Sequence, residues 1–366
     1  ATTVATAGVA AVKSGIDYQK QLANVSTLLT GTEAEISART AEIGKDILKV
    51  SNDTGVETAN LTDGMYQVIS AFGDSKDAMS ILETSAKAAA AGNATTTDSV
   101  NLLSAVMKGY KDVSAESAQK VADLSFATVR LGQTSFSELA SSIGKVVPLS
   151  SALNVQQEEL YGVFATLTGV TGSTAEVATQ YKAVLSGLMT PSKDMTASLK
   201  KLGFSTADAA IKSLGFQGTL EALKGTVHGD EQAMAKLFSS TEAQTAVLAM
   251  CGAQSENLTN KTAEMYTATG AANAAFEKQT NTLDYDIQMI KNLGANFLTE
   301  IGTKIIPYVK DLADAALPRV QSGLEAAGSY VIGTLIPAAQ QAAQWVSEHR
   351  VLLIALGAGI TAAVVA

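Results

Sequence analysis

Between Ser114 and Ser192 the chain carries four helical hydrophobic patterns in immediate succession, their starts marked by capping residues and their ends by glycine or proline. Punctuation of this kind leaves room for little except helices packed on helices. Ser135 stands three residues before Glu138, and Ser173 three before Glu176. At that spacing a hydroxyl and a carboxylate can satisfy each other's unpaired backbone donors at a helix start. Phe136, Leu139, Ala140, Ile143, Val146 and Val147 share one face of the helix predicted after Ser135, and Leu160, Val163, Phe164, Leu167 and Val170 share a face of the next. Tyr181, Val184, Leu185 and Leu188 mark a third, which stops at Thr190 because Pro191 disfavours helical geometry in the residue before it and has no donor of its own. Each amphipathic face needs a partner, and a layered helical domain supplies one.

The flanking sequence continues the theme. Residues 1–29 read as one helix with Val9, Val12, Ile16, Leu22, Val25 and Leu29 on its apolar face, ending at Gly31. Thr32 and Glu35 form a capping box for a helix that carries Ile36, Ile43, Ile47 and Val50 and stops at Gly55. Further helices are predicted over 58–72, 75–91 and 98–110. Beyond Pro191 the glycines at 203, 215, 218, 225 and 229 predict short helices and turns. Ser239 with Glu242 opens another helix, and the polar stretch 257–266 reads as loose. From about Ala271 to Lys310 the style changes to a rod, or a rod folded once, with Ile290, Leu293, Phe297, Ile301 and Ile305 at helical spacing. Sustained β alternation with hairpin signals is found nowhere, so no sheet is expected. The predicted fold is all-α: an array of short amphipathic helices followed by long rod-like ones.

Composition refines this picture. With 46% hydrophobic residues the chain can bury a sizeable core. Aromatics are only 5%, while Ala, Ser, Thr and Gly are abundant, so the helices can approach closely yet lock together loosely. A net charge of -9 opposes binding along a nucleic-acid backbone, which needs clustered cations, and no sequence-specific nucleic-acid contact is expected. Cys251 has no second cysteine to pair with and reads as a small buried hydrophobe. The chain opens with a small-residue run in place of an initiator methionine and is expected to be a piece of something longer.

Catalytic and ligand chemistry finds little support. His228, Gly229, Asp230 and Glu231 place an imidazole beside two carboxylates, but neighbours in sequence rarely converge on one substrate atom, and a solvated turn before a helix is the simpler reading. Asp284 and Asp286 lie two apart and would not face each other on a helix. His228 and His349 have no further ligand at zinc spacing. Gly169 and Gly172 precede a helix without the extra glycine and lysine of a phosphate loop. No catalytic residue, cofactor site or metal site is therefore expected. Residues 351–366 carry no charge and follow Trp345 and Arg350, which favours a truncated membrane-capable helix over an ordinary buried one.

Taken as a line, Ala122-Asp123-Leu124, Ser135-Phe136-Ser137-Glu138-Leu139, Gly169-Val170-Thr171-Gly172-Ser173, Leu185 to Ser192 and Leu199-Lys200-Lys201-Leu202-Gly203 resemble, in order and spacing, the core of tailed-phage tail tape measure proteins. Ser51 to Val56, Ala91-Gly92-Asn93-Ala94, Lys236-Leu237-Phe238 and Leu293-Gly294-Ala295-Asn296-Phe297 extend the likeness over roughly residues 18–317. The chain departs from the pattern after Gly172, where Ser173-Thr174-Ala175 stands in place of an Ala-Gly-Thr run. The resemblance implies a structural role without catalysis, in which several copies fill the tail tube and chain length sets tail length. Implied partners are tail tube subunits, tail assembly chaperones, baseplate or tail tip proteins and other copies of the chain. At infection it implies ejection ahead of DNA with insertion into the host membrane. The corresponding organisation is an N-terminal helix over 1–31, a core domain over 32–266, a long helical region over 267–350 and the hydrophobic helix over 351–366. A stand-alone helical pore former is the alternative; it would account for the apolar ends but not for the Ser114 to Ser192 constellation. An enzyme is the third class, and no site for one is evident.

Overall fold

The computed structural model describes the backbone of residues 2–320 and the side chains of residues 9–311. Residues 351–366, with Trp345, His349 and Arg350, lie outside the described residues. The described residues are all-α, with no strand. The helices are α1 (Thr2–Ser26), α2 (Glu33–Thr54), α3 (Thr58–Phe72), α4 (Ala78–Gly92), α5 (Thr96–Gly109) and α6 (Ala115–Leu131). Next come α7 (Phe136–Ser142), α8 (Val147–Ala152), α9 (Gln157–Thr171), α10 (Thr174–Met189), α11 (Lys193–Lys201) and α12 (Ala207–Thr226). The series closes with α13 (Glu231–Lys236), α14 (Thr241–Cys251), α15 (Ser255–Met265), α16 (Ala271–Thr280) and α17 (Leu283–Val320).

Two compact units result. One contains the chain up to Tyr66 together with the chain from Asn281 onward, and the other is Gln67–Thr280.

In the first unit α1 and α2 pack on α17. The capping box at Thr32 and Glu35 is present, with both reciprocal bonds, and Gly55 ends α2 as its cap. The buried face of α1 is Ala11, Gly15, Tyr18, Leu22 and Val25, spaced alternately four and three residues apart, and buried Leu29 follows just past the helix end. This corrects the expected face in its N-terminal half, since Val9 and Ile16 are exposed. The cause is the close approach of α17. A β-carbon placed on Gly15 would stand 2.6 Å from the backbone carbonyl carbon of Gly302, so at this crossing the two helices touch backbone to backbone. Side chains as small as Ala11 and Gly15 fit there, and valine or isoleucine would not.

In the second unit α9 is the central element. It packs against α6, α10, α14 and α15, and every residue from Gln157 to Thr168 is buried, so over that span it has no solvent face where sequence periodicity indicated one, while Val170, expected on the packed face, is exposed in its last turn. Phe164 and Phe216 meet the Tyr181 ring edge-on at 6.5 and 5.5 Å. The stretch 257–266, expected to be loose, is the ordered helix α15, which buries Leu258, Thr262 and Met265. Gly162 of α9 lies directly against Thr262, so a mostly polar helix packs closely because its partner offers no side chain at the contact. The single helix expected after Ser135 is broken into α7, a 3-10 turn at Ile143–Lys145 and α8. Pro148 enforces the restart: it lacks a donor and sits at the start of α8, where a donor is not needed. The cap before α14 is Ser240, one residue later than expected, and its side chain accepts from the Ala243 N–H.

Glycine contacts of this kind give a direct test in the first unit. Gly15→Ala would drive a methyl into the backbone of α17 and is expected to destabilise the α1–α17 pairing by about 1–3 kcal/mol. Gly169→Ala, inside α9 with nothing within 4 Å of the added carbon, is expected to be neutral or to stabilise by about 0.5–1 kcal/mol. Chemical denaturation of the two variants measures both; equal effects would remove the close-contact argument.

Candidate assembly surface

A 38-residue helix rising about 1.5 Å per residue is about 57 Å long, and α17 buries the side that sequence periodicity did not indicate. Of Ile290, Leu293, Phe297, Ile301 and Ile305, expected to form the packed stripe, only Ile301 is buried; Ile290 is 50% exposed and Leu293 44%. Leu283 at 75% and Tyr308 at 71% prolong the exposed apolar line at helical spacing. The packed side is small and polar. Asn292 donates to the Gly55 carbonyl. Asn296 donates to Ser51 Oγ at 2.7 Å and to Asn52 Oδ1 at 2.8 Å, and the Thr299 and Ser14 hydroxyls meet at 2.5 Å. Polar bonds and the Gly302 contact hold α17 in this unit, and they leave Leu283, Ile290, Leu293 and Tyr308 in water, with the stripe interrupted at buried Ile301 and half-buried Phe297 and Ile305. Exposed apolar side chains that share a helix face make this a candidate interaction surface.

The second unit buries three carboxylates, Asp123, Glu158 and Glu159, and two of them cap helices. Asp123 on α6 is 3% exposed, and its oxygens accept from the N–H groups of Gly270 and Ala272, each at 2.9 Å. It thereby caps the start of α16. Glu159 on α9 does the same twice. One oxygen accepts from Gln156 N at 3.1 Å, closing its own helix, and the other accepts from Phe216 N at 2.6 Å. Phe216 begins the second half of α12, after a kink at Gly215 whose φ of 76° and ψ of 169° are non-helical. A carboxylate at a helix start meets unpaired N–H donors and the positive end of the helix dipole. Burial still dominates at Glu159 and raises its pKa, against the lowering effect of backbone N–H bonds from Gln156, Phe216 and Gln217. Glu158 beside it pairs with Lys120 at 2.7 Å. Asp123 carries a sequence signal, an acid set in an otherwise apolar run, whereas Glu159 follows the polar run Gln156-Gln157-Glu158 and carries none.

The residues weighed for chemistry that fall within the described part of the chain are placed as follows. His228 and Gly229 form an exposed turn with positive φ, and Asp230 caps α13 by accepting from Ala233 N at 2.9 Å. Glu231 lies 3.5 Å from Lys224. Asp284 and Asp286 are exposed in the first turn of α17. Gly169 lies within α9 and Gly172 is its C-cap. Burial pushes the Cys251 thiol up to about 11, which leaves it protonated and unreactive at neutral pH. Among the described residues no group of three or more His, Cys, Asp or Glu is placed to hold a metal ion. No helix among them is long and apolar enough to cross a membrane.

The described residues thus form an all-α scaffold with exposed apolar side chains along α17. The chain belongs to the phage-related minor tail protein family, which it matches over residues 44–249, and its role is structural, in the phage tail. It is also 24% identical over 324 residues to a protein of Clostridium phage phiCD119 described as a probable tape measure protein, in an alignment that takes in 84% of this chain. The chain spans about a third of that relative, 33% of its length. No solved structure matches the chain.

Glu159 supplies the pH test. Glu159→Ala leaves the buried Phe216 N–H unpaired, with the part-buried Gln156 N–H, and is expected to cost about 1–3 kcal/mol. Because burial raises the folded-state pKa above the unfolded one, the carboxyl's contribution is present at low pH and is lost as pH rises through the folded-state value. The stability of the wild type minus that of Glu159→Gln is therefore expected to grow as pH falls, in paired urea titrations. Growth in the opposite direction would mean that the backbone donors outweigh burial.

Proposed function

We propose that this chain is the core segment of a tail tape measure protein, a scaffold around which tail tube subunits polymerise and whose length sets the length of the tail. The observation that carries this reading is the alignment of 84% of the chain with a protein bearing that description. The family match supports it, since residues 44–249 include the whole of the Ser114 to Ser192 stretch. In this reading the exposed edge of α17 is where copies of the chain lie against one another within the tube. Tail assembly chaperones cover such surfaces before assembly, and baseplate or tail tip proteins receive one end. The protein resides in the virion after assembly in the host cytoplasm. At infection it leaves ahead of the DNA and enters the host membrane. The organisation proposed with it is a helical core over 32–266, flanked by an N-terminal helix and by long helices from 267 onward.

Tail length is the direct test. An in-frame deletion of about 20 residues from α17 in the full-length protein is expected to shorten tails by about 30 Å, at about 1.5 Å per residue. Tails of unchanged mean length by electron microscopy would remove α17 from the ruler. A second experiment addresses the surface: Ile290→Glu with Leu293→Glu is expected to weaken self-association in sedimentation while leaving helicity intact. Unchanged association would place the contact between copies elsewhere.

A further inference from the structure

The side of α17 that faces water carries a coiled-coil repeat of its own. Asp286, Ile290, Leu293, Phe297, Glu300 and Lys304 follow one another at alternating spacings of four and three residues, the interval that keeps side chains on one stripe of a helix. Phe297 is half-buried and the other five are exposed. Leu283 and Tyr308, both largely exposed, stand at the two ends of the stripe. Asn292, Asn296 and Thr299 follow the same spacing on the packed side, so α17 has one seam inside its unit and a second seam outside it. The outer seam is electrically asymmetric. Asp286 is at its N-terminal end and Lys304 lies eighteen residues further on, about five turns of helix away. Glu300 bonds to Lys304 at 2.8 Å within the helix.

We propose that two free copies of this chain pair along the outer seam of α17 in antiparallel orientation, with Asp286 of each copy against Lys304 of the other. The pairing rests on the contact between copies assigned to α17 under the proposed function, and adds its direction and register. In this alignment the twofold axis passes beside Ala295, Leu293 of one copy meets Phe297 of the other, and Leu283 comes opposite Tyr308. Every such contact forms twice, as symmetry requires of a surface that pairs with itself. Glu300 falls beside Ile290 and keeps its bond to Lys304 of its own helix. A parallel pair in register would set Asp286, Glu300 and Lys304 each against its own counterpart, and like charges so opposed cost affinity. Sliding a parallel pair by eighteen residues recovers the contact of Asp286 with Lys304. It also leaves Leu293 and Phe297 of one copy beyond the first residue of the other's α17. The stripe from Leu283 to Tyr308 is about 38 Å long and about 10 Å wide, about 400 Å² per copy against about 800 Å² per partner in a standard interface. The pair is therefore weak and reversible. Copies that enter one tube from the same end point the same way, so the antiparallel pair belongs to the free protein and opens before assembly.

Sedimentation equilibrium of the full chain tests the pairing with Asp286→Lys, Lys304→Glu and the double variant. Each single variant turns two attractive contacts into two repulsive ones and is expected to raise the dimer dissociation constant about tenfold. The double variant exchanges the charges and is expected to return to within about threefold of the wild type. Asp286→Asn and Lys304→Gln give the milder comparison if circular dichroism shows that a charge reversal disturbs the helix. Direction is read separately in a Cys251→Ala background. Oxidation of a mixture of Asp286→Cys and Lys304→Cys copies is expected to yield the mixed disulfide dimer, while Asp286→Cys alone yields none. A cross-link between two Asp286→Cys copies, the parallel outcome, would overturn the proposal, and so would a double variant that associates no better than the single ones. Those two results remove only the direction and register, whereas a wild type that stays monomeric at every concentration removes the contact between copies on α17 as well.

Discussion

Every helix start leaves backbone N–H groups without partners, and a chain cut into this many helices meets that demand repeatedly. Where the start is at the surface, a local hydroxyl is enough: Thr32, Thr95, Ser114, Ser135, Ser173, Ser192 and Ser240 each accept from the N–H three residues on. Where the start is buried, the partner comes from another helix and carries a charge. Asp123 and Glu159 stand on α6 and α9, which pack together, and each reaches a helix far along the chain at a point where a glycine has turned the backbone. Gly215 and Gly270, with φ of 76° and 87°, permit the turns. The carboxylates fix where the following helices begin. The register of α12 and of α16 in the second unit therefore depends on two side chains whose charge would otherwise oppose burial.

Close approach is the second recurring device, and it takes the place of bulk. Gly15 meets Gly302, Gly162 meets Thr262, and Gly92 and Gly187 receive Phe136 and Phe238. Where helices touch at backbone distance, many small dispersion contacts replace the few large ones that aromatic side chains would make. Such contacts tolerate no added carbon, yet they impose little rotamer specificity. The same economy leaves polar atoms inside: Thr62, Ser85, Ser125, Thr128, Thr166 and Thr168 bury their hydroxyls by bonding to a carbonyl of the preceding turn.

Caps and stops were legible in the sequence because they are local. The boxes at Thr32 and Ser135 and the halt of α10 before Pro191 need only a few adjacent residues to be recognised. Which side of a helix is buried was far less legible, because that is decided by partners distant in the chain. Periodicity identifies an apolar stripe on α17 and assigns all of it to the core, whereas the core is reached by Asn292, Asn296, Thr299 and Gly302 and, from the stripe, by Ile301 alone. It gave α9 one buried face and α15 none, and both are deeply packed because glycine on α9 lets α15 in. The two capping carboxylates, Asp123 and Glu159, are hidden for the same reason: an acid reads as surface until the distant N–H groups that receive it are known. The His228 to Glu231 group is legible as a turn before a helix for the same local reason as the surface caps, since Asp230 caps α13 three residues before the N–H it accepts from.

The inversion of α17 bears on how an assembly component stays a single species before it assembles. A helix that buried its leucine and isoleucine edge within its own unit would have little left to offer a partner, and one held by nothing would associate without control. Here the retaining contacts are side-chain amides and hydroxyls bonded to the end of α2 and to α1, with a glycine crossing beside them. Bonds of this type contribute only about 0.5–1.5 kcal/mol each in net terms, whereas an apolar side chain of leucine size gains about 1.5–3 kcal/mol when fully buried. Polar contacts are directional and fix the helix in one register; apolar contacts are stronger in sum and accept many registers. Placing the first kind inside and the second outside gives a unit whose own fold is specified while its largest unspent driving force points outward, along a helix long enough for another chain to lie against.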